Sequence, residues 1–186
     1  PGDAWIAKAD GSEARKLITG TSPTWSPDGS WLLLNPDTGA YELGLIRPDG
    51  NEYHVLAGGY EPSWTPDGRI VYGHSDYPKA TYALRVIALD GTAIDLWTTT
   101  GDLGSPRMLA NGRVIFVLNG DVWRLDPGSA EPVQLTQGLQ AASGPSVSPD
   151  GKQVAVAAGG SLPGLAVGSI DGGSVTGLQG IVSDVA

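Results

Sequence analysis

The chain carries 20 Asp and Glu, 11 Lys and Arg, only two histidines and no cysteine, so any chemistry it performs must use carboxylates, imidazoles and hydroxyls. Without a thiol, disulfides, cysteine nucleophiles and Cys-ligated zinc are excluded. The densest run of reactive types is Gly73-His74-Ser75-Asp76-Tyr77-Pro78-Lys79-Ala80. It sets an imidazole beside a carboxylate, a phenol and an amine, which suits a ligand or partner contact; a solvated turn around Pro78 would read the same way. A His-pair metal site would need His54 and His74 together, but His54 falls in the strand-like run Tyr53-His54-Val55-Leu56 and His74 in a loop. Asp28, Asp67 and Asp150 recur in matching contexts far apart, whereas a calcium loop needs closely spaced oxygens. They read as turn residues. No metal and no cofactor is expected.

Catalysis finds little footing. There is no Gly-x-Ser-x-Gly elbow, no phosphate loop and no dinucleotide fingerprint. A carboxylate pair could act as acid and base, but no spacing singles one out. The expectation is a chain that is not an enzyme.

The elements that must position these residues come from an internal repeat. Pro23-Thr24-Trp25-Ser26-Pro27-Asp28-Gly29 returns as Pro62-Ser63-Trp64-Thr65-Pro66-Asp67-Gly68 and as Pro145-Ser146-Val147-Ser148-Pro149-Asp150-Gly151. A worn copy reads Pro106-Arg107-Met108-Leu109-Ala110-Asn111-Gly112, and the spacings from Pro to Pro are 39, 44 and 39 residues. Each copy precedes an apolar run, such as Trp31-Leu32-Leu33-Leu34 or Val114-Ile115-Phe116-Val117, of the kind that suits buried strands. Between the copies runs a second series of turns: Asp10-Gly11, Asp49-Gly50, Asp90-Gly91, Asp126-Pro127-Gly128 and Asp171-Gly172. Pro presets φ, Asp bonds back to nearby backbone and Gly accepts positive φ, so both series read as hairpin turns. Two hairpins in about 40 residues make a four-stranded unit. Such units cover their apolar faces by packing radially. With no sustained 3.6-residue period, helix is not expected.

The predicted fold is therefore an all-β propeller. Outer strands at 4–18 open it, four blades follow near 22–58, 61–98, 105–137 and 144–179, and a strand at 181–186 could complete a fifth. The chain is expected to be one domain, or a portion of a longer propeller, because it opens at Pro1 with neither an initiator Met nor a signal peptide.

The Pro-x-Trp-Ser-Pro-Asp-Gly stretches resemble the WD-like repeat of the TolB propeller family, also found in the propeller domains of prolyl-oligopeptidase-like proteins. Leu135-Thr136 and the Asp-Gly turns fit the same pattern. The third blade departs from it in lacking the Trp and the Pro-Asp, and the fourth has Val147 for Trp. The resemblance implies an extracytoplasmic, periplasmic or secreted, protein-binding scaffold, or in peptidases a non-catalytic gating domain.

In such blades the two turn series share one face, and the mid-blade and inter-blade connections share the other. The second face holds the irregular loops where binding residues concentrate. Asp37, Tyr60, Glu61, His74, Asp76, Tyr77 and Asp102 form the candidate partner-binding surface, with Tyr as the customary interface anchor. Trp25 and Trp64 share a repeat position, and Trp5 and Trp123 share another; buried packing is expected of them, with Trp25 and Trp64 between blades. The net charge of -9 and the absence of any basic cluster argue against nucleic acid. No apolar run reaches the roughly 20 residues of a membrane span.

The leading expectation is a non-enzymatic scaffold for a protein or peptide. The alternatives are the propeller portion of a larger hydrolase or sensor, and a lyase or glycosidase acting at the propeller face. Incomplete blades at both ends could also leave strand edges through which chains self-associate.

Overall fold

A computed structural model describes residues 2–140, 144–159, 164–172 and 176–178. The described residues form seventeen strands in four antiparallel sheets, with no helix. The first sheet joins, in order, β1 (Asp3–Ile6), β2 (Arg15–Trp25), β3 (Leu32–Pro36), β4 (Glu42–Ile46) and β5 (His54–Gly58). The second joins β6 (Tyr60–Trp64), β7 (Ile70–Asp76), β8 (Thr81–Ile87) and β9 (Ala93–Thr99). The third holds β10 (Leu103–Met108), β11 (Val114–Leu118), β12 (Asp121–Leu125) and β13 (Val133–Gln134). The fourth holds β14 (Ser146–Val147), β15 (Gln153–Ala158), β16 (Gly164–Ser169) and β17 (Thr176–Leu178). Sequential antiparallel strands of this kind, packed sheet on sheet, are the blades of a β-propeller.

The turns form as their residues dictate. Ser26 Oγ donates to Asp28 at 2.6 Å and accepts from Trp31 N at 2.9 Å, while Asp28 accepts from Ser30 N at 3.0 Å. Ser148 and Asp150 repeat this at 2.6 Å, and Thr65 donates to Asp67 likewise. Gly29, Gly68 and Gly151 close these turns at φ of 71°, 82° and 68°, where a side chain would be strained. The worn copy keeps the geometry: Gly112 N donates to Leu109 O at 2.9 Å, and Asn111 replaces Asp as acceptor from Arg113 N at 3.1 Å. Hydrogen bonds from Ser26 and then from Ser30 hold the Asp28 carboxyl down to about 2.

The core is a stack of interfaces between sheets. Leu33, Leu43 and Leu45 meet Ile70, Tyr72 and Ile87 between the first and second sheets. Val71, Leu84 and Val86 face Leu103, Val114 and Phe116 between the second and third. Ile115 and Val122 face Val154, Val156 and Ala166 between the third and fourth. Neighbours in one strand thus serve opposite interfaces, as alternation demands. Both faces are buried, which is why the strands read as continuous apolar runs rather than alternating ones. At the turn end, Arg113 bridges Asp126 at 2.9 Å and Asp171 at 2.8 Å, tying the third sheet to the fourth.

Four expectations need correction. The outer strands expected to end at 18 and the blade expected to begin near 22 are continuous, joined by one eleven-residue strand, β2, whose first half pairs with β1 and whose second half pairs with β3. His74 lies within β7 rather than in a loop, because pairing of β7 with β8 continues to Asp76↔Thr81 and leaves only residues 77–80 as the turn. The third correction concerns tryptophan. Trp64 packs on the cluster between the first two sheets, but Trp25 is 51% exposed. On that side the described residues supply only β1 and the first half of β2, with no inner strand to cover the ring. The fourth concerns the other pair: Trp5 is 60% exposed, whereas Trp123 packs against the cluster between the second and third sheets. The strand expected at 181–186 lies outside the described residues. No helix of the described residues is long and apolar enough to cross a membrane.

Candidate functional site

A bulge repeats in the inner strands of the first three sheets. Ser22, Glu61 and Ser105, each just before a Pro, hold φ of 55°, 49° and 50°. The ladder slips at the same places, between Thr21 and Thr24, Tyr60 and Ser63, and Gly104 and Arg107. Left-handed backbone is uncommon for such residues and costs about 1 kcal/mol or more. A bulge re-aims its side chain, and here it aims along the stack of sheets. Glu61 reaches the third sheet, where its carboxylate accepts from Ser105 N and, at 2.6 Å, from Ser105 Oγ. Ser105 in turn abuts Gly144, where an added Cβ would lie 2.6 Å from the serine Cβ. Arg107 lies nearby; burial lowers its guanidinium from the ordinary value, and the charge of Glu61 opposes that shift.

The loop ends of the first three sheets enclose a cleft of about 670 Å³. Its aromatic walls are Tyr41, Tyr60 and Tyr82, and its carboxylates are Glu42, Glu61 and Asp102. Asn35, Ser75 and Ser105 add neutral polar groups, and among the described residues no Lys, Arg or His lines it. Tyr41 and Tyr60 meet edge to face at 6.4 Å. Glycine makes the close fit possible: a Cβ on Gly73 would overlap the Tyr60 ring, and one on Gly59 would overlap Tyr72. The Tyr60 hydroxyl is buried with no hydrogen-bond partner among the described residues. Burial, and then the Tyr82, Asp102 and Glu61 charges, push its pKa well above the usual phenol value. Glu42 accepts from Thr38 Oγ1 at 2.7 Å.

Of the seven residues singled out from sequence, Tyr60, Glu61 and Asp102 line this cleft. The other four are not among its lining residues. Asp37 sits in the turn between β3 and β4, and Tyr77 is 90% exposed in the turn after β7. Asp76 pairs with Lys79 at 2.8 Å. His74 Nδ1 donates to Gly58 O at 3.1 Å, a tie to the end of β5. His54 instead sets its ring edge to face on Trp31 at 5.4 Å. Among the described residues no group of three His, Asp or Glu could hold a metal ion.

Sequence reasoning missed Tyr41, Glu42, Ser75, Tyr82 and Ser105. A repeat alignment would have caught two of these. Ile46 pairs with Leu32 as Ile87 pairs with Ile70, so Tyr41 and Tyr82 stand at equivalent positions before them.

No protein-family model matches the chain, and no curated protein matches it. Solved structures do. TolB from Acinetobacter baumannii superposes with a TM-score of 0.72 at 21% identity, over 93% of this chain and 47% of that one. A putative TolB from Agrobacterium tumefaciens gives 0.73 at 17%, over 94% of this chain and 73% of that one. A Xanthomonas campestris gluconolactonase gives 0.63 at 15%, over 94% and 69%. The chain thus has the TolB-type β-propeller fold, and it spans about half the length of the Acinetobacter protein. Because that fold also carries an enzyme among these neighbours, function has to be argued from the cleft.

Proposed function

We propose that the chain is a non-enzymatic propeller scaffold that seats a peptide or a protein loop in the loop-face cleft, outside the cytoplasm. The observation that carries this reading is the cleft itself: the first two sheets converge Tyr41, Tyr60 and Tyr82, and the third adds Asp102 and Ser105, around about 670 Å³. Tyr offers large, stiff contact area at little entropic cost, which is why it recurs at binding surfaces. The bulges and the Glu61–Ser105 tie hold the walls in place, so binding needs little reorganisation. The acid–base alternative has less support, since Glu61 is engaged by Ser105 and no histidine is among the described residues lining the cleft with Glu42 and Asp102.

The test is selection of peptides from a random-sequence displayed library on the full chain, followed by measurement on Tyr41→Ala. Tyr41 is 81% exposed, so its removal should leave the fold intact. Selected peptides should bind Tyr41→Ala at least about tenfold more weakly. Equal binding to both forms, or no binders, overturns the reading.

A further inference from the structure

We propose, resting on the reading that this cleft seats a peptide, that it selects a basic side chain, arginine or lysine, which stacks on the Tyr41 and Tyr60 walls and meets the Asp102 and Glu42 carboxylates.

Three independent features of the cleft point the same way. First, the walls are aromatic. Tyr41 offers an exposed ring, steadied edge to face by Tyr60. A cation within about 6 Å of such a face is attracted by the ring quadrupole, and guanidinium stacks there readily.

Second, the charge is one-sided, and not because every acid is free. Glu61 is taken up by Ser105 and lies near Arg107. The Asp102 carboxylate accepts nothing among the described residues; its backbone alone is engaged, the N–H donating to Asn119 Oδ1 at 2.9 Å and the carbonyl accepting from Asn119 N at 2.9 Å. Glu42 has only the neutral Thr38 hydroxyl. Two carboxylates therefore face the cleft with no cation among the described residues to balance them. By contrast, other strand carboxylates are paired with cations, as Asp76 is with Lys79 and Asp95 with Arg85.

Third, the cleft holds an unmet hydrogen-bonding group. The Tyr60 hydroxyl is out of water and unpartnered. Buried polar groups are nearly always satisfied, and an orphan marks a place where a partner is missing. Asp102 and Glu61 raise its pKa together with burial, so negative potential reaches this atom. Guanidinium and ammonium groups bring several donors and positive charge at once. An acidic side chain would meet two carboxylates, and an apolar one would desolvate them without return.

The experiment extends the peptide selection. Peptides whose binding to the full chain depends on Tyr41 are resynthesised with each Arg or Lys replaced by norleucine. Both versions are measured against wild type, Asp102→Asn and Glu42→Gln. Enrichment of Arg or Lys is expected, and norleucine replacement and Asp102→Asn should each weaken binding about tenfold. Their combination should cost little more than either alone, since both remove one contact. Glu42→Gln should act in the same direction. Tyr41-dependent peptides lacking Arg or Lys, or indifferent to both carboxylate variants, overturn the basic-side-chain inference and leave the peptide reading standing. Absence of any Tyr41-dependent peptide overturns the peptide reading itself. Putrescine, tested alone as a free diamine, should compete only weakly; competition equal to that of the peptides overturns a peptidic source for the cation.

Discussion

Trp25 and Trp64 occupy the same place in the same motif and end in opposite surroundings. Trp64 packs on Leu33, Leu43, Leu45, Ile70, Tyr72 and Ile87, and its Nε1 donates to Thr24 O at 3.1 Å. Trp25 is 51% exposed. Their strand pairing is alike, Trp25 with Leu32 and Trp64 with Ile70. The difference is the neighbour. Trp64 leans back on the inner strand of the sheet before it, and Trp25 has only β1 and the first half of β2 behind it among the described residues. The motif therefore makes a hairpin by itself, but it makes an interface only where a second sheet supplies the other half. The apolar face of the first sheet is nevertheless covered, because Leu17 and Ile18 pack on Leu32, Leu34 and Ile46.

The widest gap is expected from truncating the two rings. Trp64→Ala should lower stability by about 3 kcal/mol, near the bottom of the range for large aromatic deletions because the ring is only half-buried. For a chain of this size that is a fall in Tm of roughly 6–12 °C, readable by calorimetry. An equal loss for Trp25→Ala would erase the contrast. A somewhat smaller effect is expected at Asp121, which organises the end of the third sheet. Its carboxylate accepts from Thr136 Oγ1 at 3.0 Å, Gly138 N at 3.1 Å and Leu139 N at 3.0 Å. Asp121→Ala should cost about 2 kcal/mol by stranding those donors. The loss should appear as faster amide exchange at Leu139, leaving the interface of Trp64 untouched.

Acid should act on both regions alike, because both contain the same turn. Asp28 and Asp67 have lowered folded pKa values, Asp28 by bonds from Ser26 and Ser30 and Asp67 chiefly by Thr65 and Arg69. A depressed carboxylate adds stability that is present above its unfolded value near 4 and is lost as pH falls through the folded value. Denaturant midpoints should thus hold steady at neutral pH and drop between about pH 4 and pH 2, less in Asp28→Asn than in wild type. A midpoint that fails to fall in this window would remove the carboxylates from the account. The smallest effect belongs to Trp25→Ala, expected within about 1 kcal/mol of wild type, as for an exposed residue without a special role. Acrylamide should quench the ring at position 25 more readily than that at 64, judged by the fluorescence lost in Trp25→Phe and Trp64→Phe.

What could be read from the residues follows from how local their chemistry is. Ser-Pro-Asp-Gly and Asp-Gly turns close over five or six residues by their own hydrogen bonds, so their repetition announced four-stranded units and a propeller. His74 was misplaced because turn residues at Tyr77-Pro78 look like a longer loop when the pairing of Asp76 with Thr81 is not visible. Among the candidate residues, Tyr60 and Asp102 were within reach because the connections between sheets share one face. Tyr41, Glu42 and Tyr82 were not chosen, since each sits at a strand start that no turn motif marks.

The sequence by itself determined the hairpins, the repeat and the end of the propeller on which loops gather, because those depend on bonds between residues near in the chain. Tertiary structure alone decided which aromatic rings are covered and which line a cleft. That outcome depends on side chains from three sheets meeting across gaps that close only when the sheets pack. It also decided that the Glu61 carboxylate is tied to Ser105 while that of Asp102 accepts no hydrogen bond among the described residues, a distinction that two acidic residues in similar loops do not carry in their letters.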